Sequence, residues 1–246
     1  MLTDTEGIVL RQVKTSYNRR MIILFSRKYG KISAGTSLGD KGRSKSSLAL
    51  RPFTFGRYEL FVNRDSYNIN SAEVRKSYYK IGEDVDKYMN GAYVLEFTEK
   101  VLEEGVPQQR IFDLLIEFFE VLENRDKGIG TLVLAYQTKL LQYAGVMPQL
   151  DACVVCGKKR EECEGQQYFS IASGGFVCAD HAQNASLIYK DAFGIIEILK
   201  YFAVVPLRKL ENIALNETTG KELQGLIREY AAYYLDVSNI KSEKLI

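Results

Sequence analysis

The chain has 246 residues, 46% of them hydrophobic and 26% charged, with a formal net charge of +2. That length holds one large domain or two small ones. No stretch approaches the ~18 consecutive apolar residues of a spanning helix, and Met1-Leu2-Thr3-Asp4-Thr5-Glu6 lacks the basic-then-apolar order of a secretory signal, so a cytoplasmic protein without membrane attachment is expected.

The modest total hides an uneven distribution. Residues 1–80 hold 16 Lys/Arg against 6 Asp/Glu, a net of +10; residues 81–150 hold 6 against 12, a net of −6; residues 151–246 hold 11 against 13, a net of −2. Such asymmetry points to a polyanion-binding N-terminal portion, the plain alternative being a solvated basic face.

Five short strand-like runs fill the first eighty residues: Ile8 to Val13, Met21 to Phe25, Lys31 to Thr36, Phe53 to Val62 and Tyr67 to Asn70. Gly30, Gly35, Gly39, Gly42 and Pro52 punctuate them as turn formers do. The count suits a partly open barrel of the OB-fold type, and an SH3-like barrel fits nearly as well. The cations gather in the connections. Arg19 and Arg20 separate the first two runs, Arg27 and Lys28 the next two, and Lys41, Arg43, Lys45 and Arg51 lie on the Gly/Ser-rich stretch from Gly39 to Pro52. Small residues let a phosphate backbone approach, and amides and serine hydroxyls add hydrogen bonds to it. Tyr17, Tyr29, Phe53, Phe55, Tyr58 and Tyr67 are interleaved. Each is either a core residue or a platform for an unpaired base.

At Val85 the apolar period becomes helical. Val85, Tyr88, Met89, Ala92 and Leu95 mark one stripe. Pro107 opens a second helix with Ile111, Leu114, Leu115, Phe118, Phe119 and Leu122 on one face, and a third runs from Ile129 to Ala144 with Gly145 as its stop. These stripes are expected in the core. Two further helices are expected near Asp191–Val205 and Thr219–Tyr234, and Tyr230, Tyr233 and Tyr234 are either core or partner surface.

Between the two helical parts lie Cys153-Val154-Val155-Cys156-Gly157 and Cys178-Ala179-Asp180-His181. Two Cys-x-x-Cys/His pairs offer four ligands to one ion, the pattern of a closed, structural zinc site. Cys163 competes with His181 for the fourth place. Catalytic zinc keeps an open position, and a zinc deaminase places a glutamate two residues after its ligand histidine, where this chain has Gln183. With one histidine in all, metallohydrolase and His-based nucleophile schemes have little to build on. Four cysteines, most on or beside a metal, also suit a reducing compartment better than a disulfide framework. The expected architecture is α+β and multidomain: a small nucleic-acid-binding barrel over 1–80, OB-fold or SH3-like, then a helical domain over 81–246 interrupted at about 150–185 by the zinc segment.

Taken in order, Gly7-Ile8-Val9-Leu10, Leu24-Phe25-Ser26, Tyr29-Gly30-Lys31, Lys41-Gly42-Arg43-Ser44-Lys45-Ser46 and Leu50-Arg51-Pro52-Phe53 resemble the N-terminal part of the RecO family of bacterial recombination mediators. Leu140 to Gly145, Pro148-Gln149-Leu150, the Cys153 pair and Gly174-Gly175-Phe176-Val177-Cys178 resemble its C-terminal part. The resemblance implies an OB-fold followed by a zinc-bearing helical domain, in a non-enzymatic DNA repair protein of the bacterial nucleoid that binds single- and double-stranded DNA. It would anneal strands coated with the single-stranded DNA-binding protein, whose acidic C-terminal tail is a further expected ligand, and help RecR load the RecA recombinase. Two departures are visible. The first hairpin, commonly acidic in the family, reads Ser16-Tyr17-Asn18-Arg19-Arg20, and the fourth metal position, commonly cysteine, is His181. Since some members lack the metal, zinc is expected as a folding device. The residues do not separate DNA from RNA, so an RNA-binding OB-fold/zinc protein is the alternative.

Overall fold

The computed structural model describes residues 1–14, 20–38, 45–64, 66–211 and 213–245. Contacts gather the chain into two units, Met1–Asn124 with Ile240–Ile246, and Arg125–Asn239.

In the first unit, strands β1 (Leu2–Lys14), β2 (Arg20–Ser26), β3 (Gly30–Thr36), β4 (Thr54–Asn63) and β5 (Ser66–Ser77) close a barrel in the order β1-β2-β3-β5-β4, β4 returning to β1. Every pairing is antiparallel except β3 with β5. The short helix α1 (Lys45–Ala49) connects β3 to β4. This is the OB-type arrangement. Alternation fills the interior: Val9, Ile22, Leu24, Ile32, Ala34, Tyr58, Leu60 and Ile69 point inward, with Leu50 added from the end of α1. Tyr58 is fully enclosed and satisfies its hydroxyl on the Ala49 carbonyl at 2.6 Å. β1 starts six residues before the Ile8 run. Thr5 and Gly7 face in while Asp4 and Glu6 face out, so charge obscures a strand whose period is nonetheless two.

A 3-10 turn (Tyr79–Glu83) leads to α2 (Val85–Val101) and α3 (Gln109–Glu123). Asp84 caps α2 by accepting from the Lys87 amide at 3.0 Å. Two expected core residues of this helix are exposed, Val85 at 72% and Tyr88 at 49%. Lys87 is buried instead, because its ammonium reaches the Glu123 carbonyl at the end of α3, 3.1 Å away, where a helix C-terminus favours a cation. Pro107 lies two residues ahead of α3 and not in its first turn. The α3 stripe is buried as expected, and Phe112 meets the barrel edge-on at Phe25, 5.2 Å between centroids. The hairpin between β2 and β3 docks on the α2–α3 connection. Gly30 adopts φ +67 there, and a Cβ would lie 2.1 Å from the Val106 oxygen, so both backbone hand and space require glycine. Ile240 onward returns to this unit, and the Glu96 carboxylate accepts from the Lys241 amide (2.9 Å), the Ser242 amide (2.9 Å) and the Ser242 hydroxyl (2.7 Å).

The second unit is built around α4 (Ile129–Tyr143), buried on all sides from Thr131 to Leu141 as a helix apolar around its whole circumference must be. It packs on α6 (Ile195–Val204) and α7 (Glu217–Leu235). Arg125 is buried and donates to the carbonyls of Lys127, Leu210 and Ile213 at 2.7–2.8 Å. Strands β6 (Tyr168–Ser170), β7 (Gly175–Val177) and β8 (Ile188–Lys190) form a small sheet in the order β7-β6-β8, with the one-turn α5 (Ala179–Ala182) between β7 and β8. Tyr230 is buried against Phe169, and the Tyr234 hydroxyl donates to the Ile171 carbonyl at 3.0 Å. Tyr233 is exposed. Of the three tyrosines left open by the sequence, two fasten α7 to this sheet.

Candidate nucleic-acid interface and metal centre

The first Cys pair sits on a tight turn. The Gly157 amide donates to the Cys153 carbonyl (2.8 Å) and the Cys153 amide to the Lys158 carbonyl (2.9 Å), while Gly157 takes φ +74, a conformation open chiefly to glycine. The second pair straddles the end of β7 and α5. Val154 donates its amide to the Phe176 carbonyl at 2.9 Å, which ties the two turns together. As a result one ligand atom each from Cys153, Cys156, Cys178 and His181 lies within 4.8 Å of all the others. Cys156 Sγ is 3.9 Å from Cys178 Sγ, and Cys178 Sγ is 3.1 Å from His181 Nδ1. Cys163 stands apart, its thiol turned to the Lys159 carbonyl at 3.3 Å. The competition for the fourth place therefore resolves to His181, and the set of four could hold a metal ion.

The sulfurs are electrostatically unequal. Burial opposes ionisation of Cys153, but amides of Cys178, Cys156 and Val155 directed at its sulfur hold the thiol down to about 6. Burial, with the neighbouring Cys153 and Cys156, pushes Cys178 up to about 11. Crowded thiolates repel, and a dication among them stabilises all three in the ionised form. Arg160 braces the loop by donating to Gln167 Oε1 (2.6 Å), Asp191 (3.4 Å) and Glu197.

On the barrel, Arg19, Lys41 and Arg43 lie outside the described residues, as does Tyr17. Lys45 opens α1, with its side chain outside the described set. Arg20 is half-buried at the start of β2, and Arg51 is exposed where α1 turns toward β4. Lys28 is exposed, and its ammonium donates to Thr3 Oγ1 (2.9 Å) and lies over the Tyr29 ring. Arg27 is committed elsewhere: it pairs with Glu6 at 3.0 Å and Asp113 at 2.8 Å and lies 4.3 Å above the Phe112 ring. Of the aromatic candidates, Phe53 and Tyr58 are core, Tyr29 and Tyr67 pack against each other at 5.6 Å, and Phe55 meets Phe112. The sequence reading passed over Arg64, exposed with φ +49 in the turn between β4 and β5. A lone arginine in an Asn-Arg-Asp turn is the only signal for it.

The family model Recombination protein O N terminal matches residues 1–78, and Recombination protein O C terminal matches residues 82–244. The chain belongs to the RecO family. Its relatives include the DNA repair protein RecO of Alkaliphilus metalliredigens, 28% identical over 98% of this chain and 97% of that protein. The DNA repair protein RecO of Caldanaerobacter subterraneus subsp. tengcongensis is 30% identical over 95% and 93%, and that of Bacillus mycoides 24% identical over 96% and 94%. In the RecO frame the basic barrel is the N-terminal part, and the Cys/His cluster falls in the C-terminal part. No helix among the described residues is long and apolar enough to cross a membrane.

Proposed function

We propose that this chain acts in bacterial DNA repair as a recombination mediator without bond chemistry of its own. It would bind single- and double-stranded DNA through the barrel, anneal strands coated with the single-stranded DNA-binding protein, and with RecR assist the loading of RecA. The observation that carries the reading is the joint match of both family models to a chain whose first eighty residues hold a net +10.

The chemistry follows from charge and shape. Arg20, Lys28, Arg51 and Arg64, with Arg19, Lys41, Arg43 and Lys45, would neutralise phosphates and release condensed counterions, giving affinity that ignores sequence and falls with salt. The turn between β4 and β5 belongs to the part of an OB barrel that meets oligonucleotides. Zinc is the ion proposed for the cluster: tetrahedral bonds of ~2.3 Å set sulfurs ~3.8 Å apart, close to the 3.9 Å between Cys156 and Cys178. Four protein ligands leave no open position, so the ion's contribution is to fix the fold of the loop that carries it.

The test is annealing of two complementary oligonucleotides, each precoated with the cognate single-stranded DNA-binding protein. Acceleration is expected at moderate salt, and a Lys41→Ala, Arg43→Ala, Lys45→Ala variant should bind DNA more weakly with a shallower salt dependence. No acceleration by folded, metal-loaded protein refutes the mediator reading, and tighter binding to RNA of matched sequence moves the function to RNA.

A further inference from the structure

The first unit carries a cleft of which these assignments use only Arg51. Its volume is ≈ 630 Å³, within the ~300–1,000 Å³ of small-ligand pockets. α1 supplies Leu48 and the turn after it Arg51 and Phe53; the 3-10 turn supplies Tyr79 and Gly82; the first turns of α2 supply Tyr88. Strand β1 supplies Arg11, whose guanidinium is held by Glu99 at 2.7 Å.

Three features of this lining are unusual for plain surface. Tyr79 is 61% exposed and Leu48 46% exposed, large apolar groups left in water beside the half-exposed Tyr88. Arg51 is exposed and, among the described residues, has no carboxylate partner. Phe53 holds φ +60, which bulky side chains rarely adopt. That backbone turns its ring onto Tyr88 and Phe119, at 5.7 and 5.6 Å, and so fixes one wall. Strain of this kind, over-determined by packing, collects at binding sites.

We infer that the cleft receives one unstacked nucleotide of single-stranded DNA, its base against the Tyr79 and Tyr88 rings and its phosphate on Arg51. Flat aromatic faces beside an exposed guanidinium match a base with its phosphate, and every base has a face to stack. A base inside a duplex is already stacked and cannot enter, so the cleft distinguishes single from double strands where phosphate contacts alone do not. The inference rests on the nucleic-acid reading of the barrel and deepens it.

The test uses the full chain, a thymidine oligonucleotide carrying one 2-aminopurine, and a duplex of the same length. Binding should change the 2-aminopurine emission. Tyr79→Ala should abolish that change and weaken single-strand binding about tenfold while leaving duplex binding as it was, and Tyr79→Phe should restore both signals. Gly82→Leu is a second probe. A Cβ at Gly82 meets nothing within 4 Å, so the fold tolerates it while the added bulk crowds the cleft, and it should act as Tyr79→Ala does. If the parent binds both DNAs and Tyr79→Ala and Gly82→Leu bind the single strand equally well, the cleft assignment alone is overturned. Equal losses on single strand and duplex also overturn it, as does release of the emission change by a phosphate-free acidic peptide. If the parent binds neither DNA, the interface reading falls with it.

Discussion

Arg27 and Lys28 are neighbours in sequence and should behave as opposites. Replacing Arg27 by alanine removes partly exposed ion pairs to Glu6 and Asp113, each discounted by solvent to ~0.5 kcal/mol. It also removes a cation–π contact with Phe112 at 4.3 Å of ~1 kcal/mol and a hydrogen bond to Gln109 at 3.1 Å of ~0.5–1 kcal/mol. The loss should be about 2–3 kcal/mol, read as a lower urea midpoint at unchanged slope. Because that charge is already balanced, the salt dependence of DNA binding should barely move. Lys28→Ala should leave stability within ~0.5 kcal/mol and lower the slope of log affinity against log salt by ~0.9. An Arg27→Ala protein that unfolds at the parent's midpoint, or one whose salt slope drops as Lys28→Ala's does, would refute this division of labour.

The Glu96 clasp on Lys241 and Ser242 should depend on pH. Burial raises the carboxyl's pKa, but the Ser242 hydroxyl and the two amides outweigh it and hold the group below its ordinary 4.5. A depressed folded value means the stabilisation is present above pH ~4.5 and fades as pH falls through the lower value. Exchange protection of the two amides should follow that course and be weak at every pH in Glu96→Gln. Cobalt(II) titrated into the apoprotein should give thiolate charge-transfer absorption that Cys156→Ser diminishes and Cys163→Ser leaves intact; equal loss in both would place Cys163 among the ligands. The Tyr78 hydroxyl is buried without a hydrogen-bond partner among the described residues, so Tyr78→Phe should keep or raise stability by up to ~1 kcal/mol, and a loss of that size in thermal unfolding would reveal a partner.

What the sequence disclosed, it disclosed through local period and spacing. The barrel strands, the change of period at Val85 and the Cys-x-x-Cys/His pairs are all short-range patterns, and each corresponds to an observed element. What stayed hidden depends on partners far along the chain. Nothing beside Arg27 announces Asp113, and nothing beside Tyr88 announces that Lys87, one residue away, would take the buried place by reaching Glu123. The cleft lining comes from four separate segments, none with a motif of its own. The strands of the metal segment run three residues each, too short for a period to register.

The return of Lys241 and Ser242 to α2 sets an order on synthesis. Their contacts with Glu96 span 145 and 146 residues, and the whole of Arg125–Asn239 emerges from the ribosome in between. The barrel-bearing unit begins first yet receives its last contacts only after its neighbour has been made. During translation its α2 face waits with Glu96 uncovered, so a stall anywhere within 125–239 leaves a nascent chain whose earliest-made unit is still incomplete.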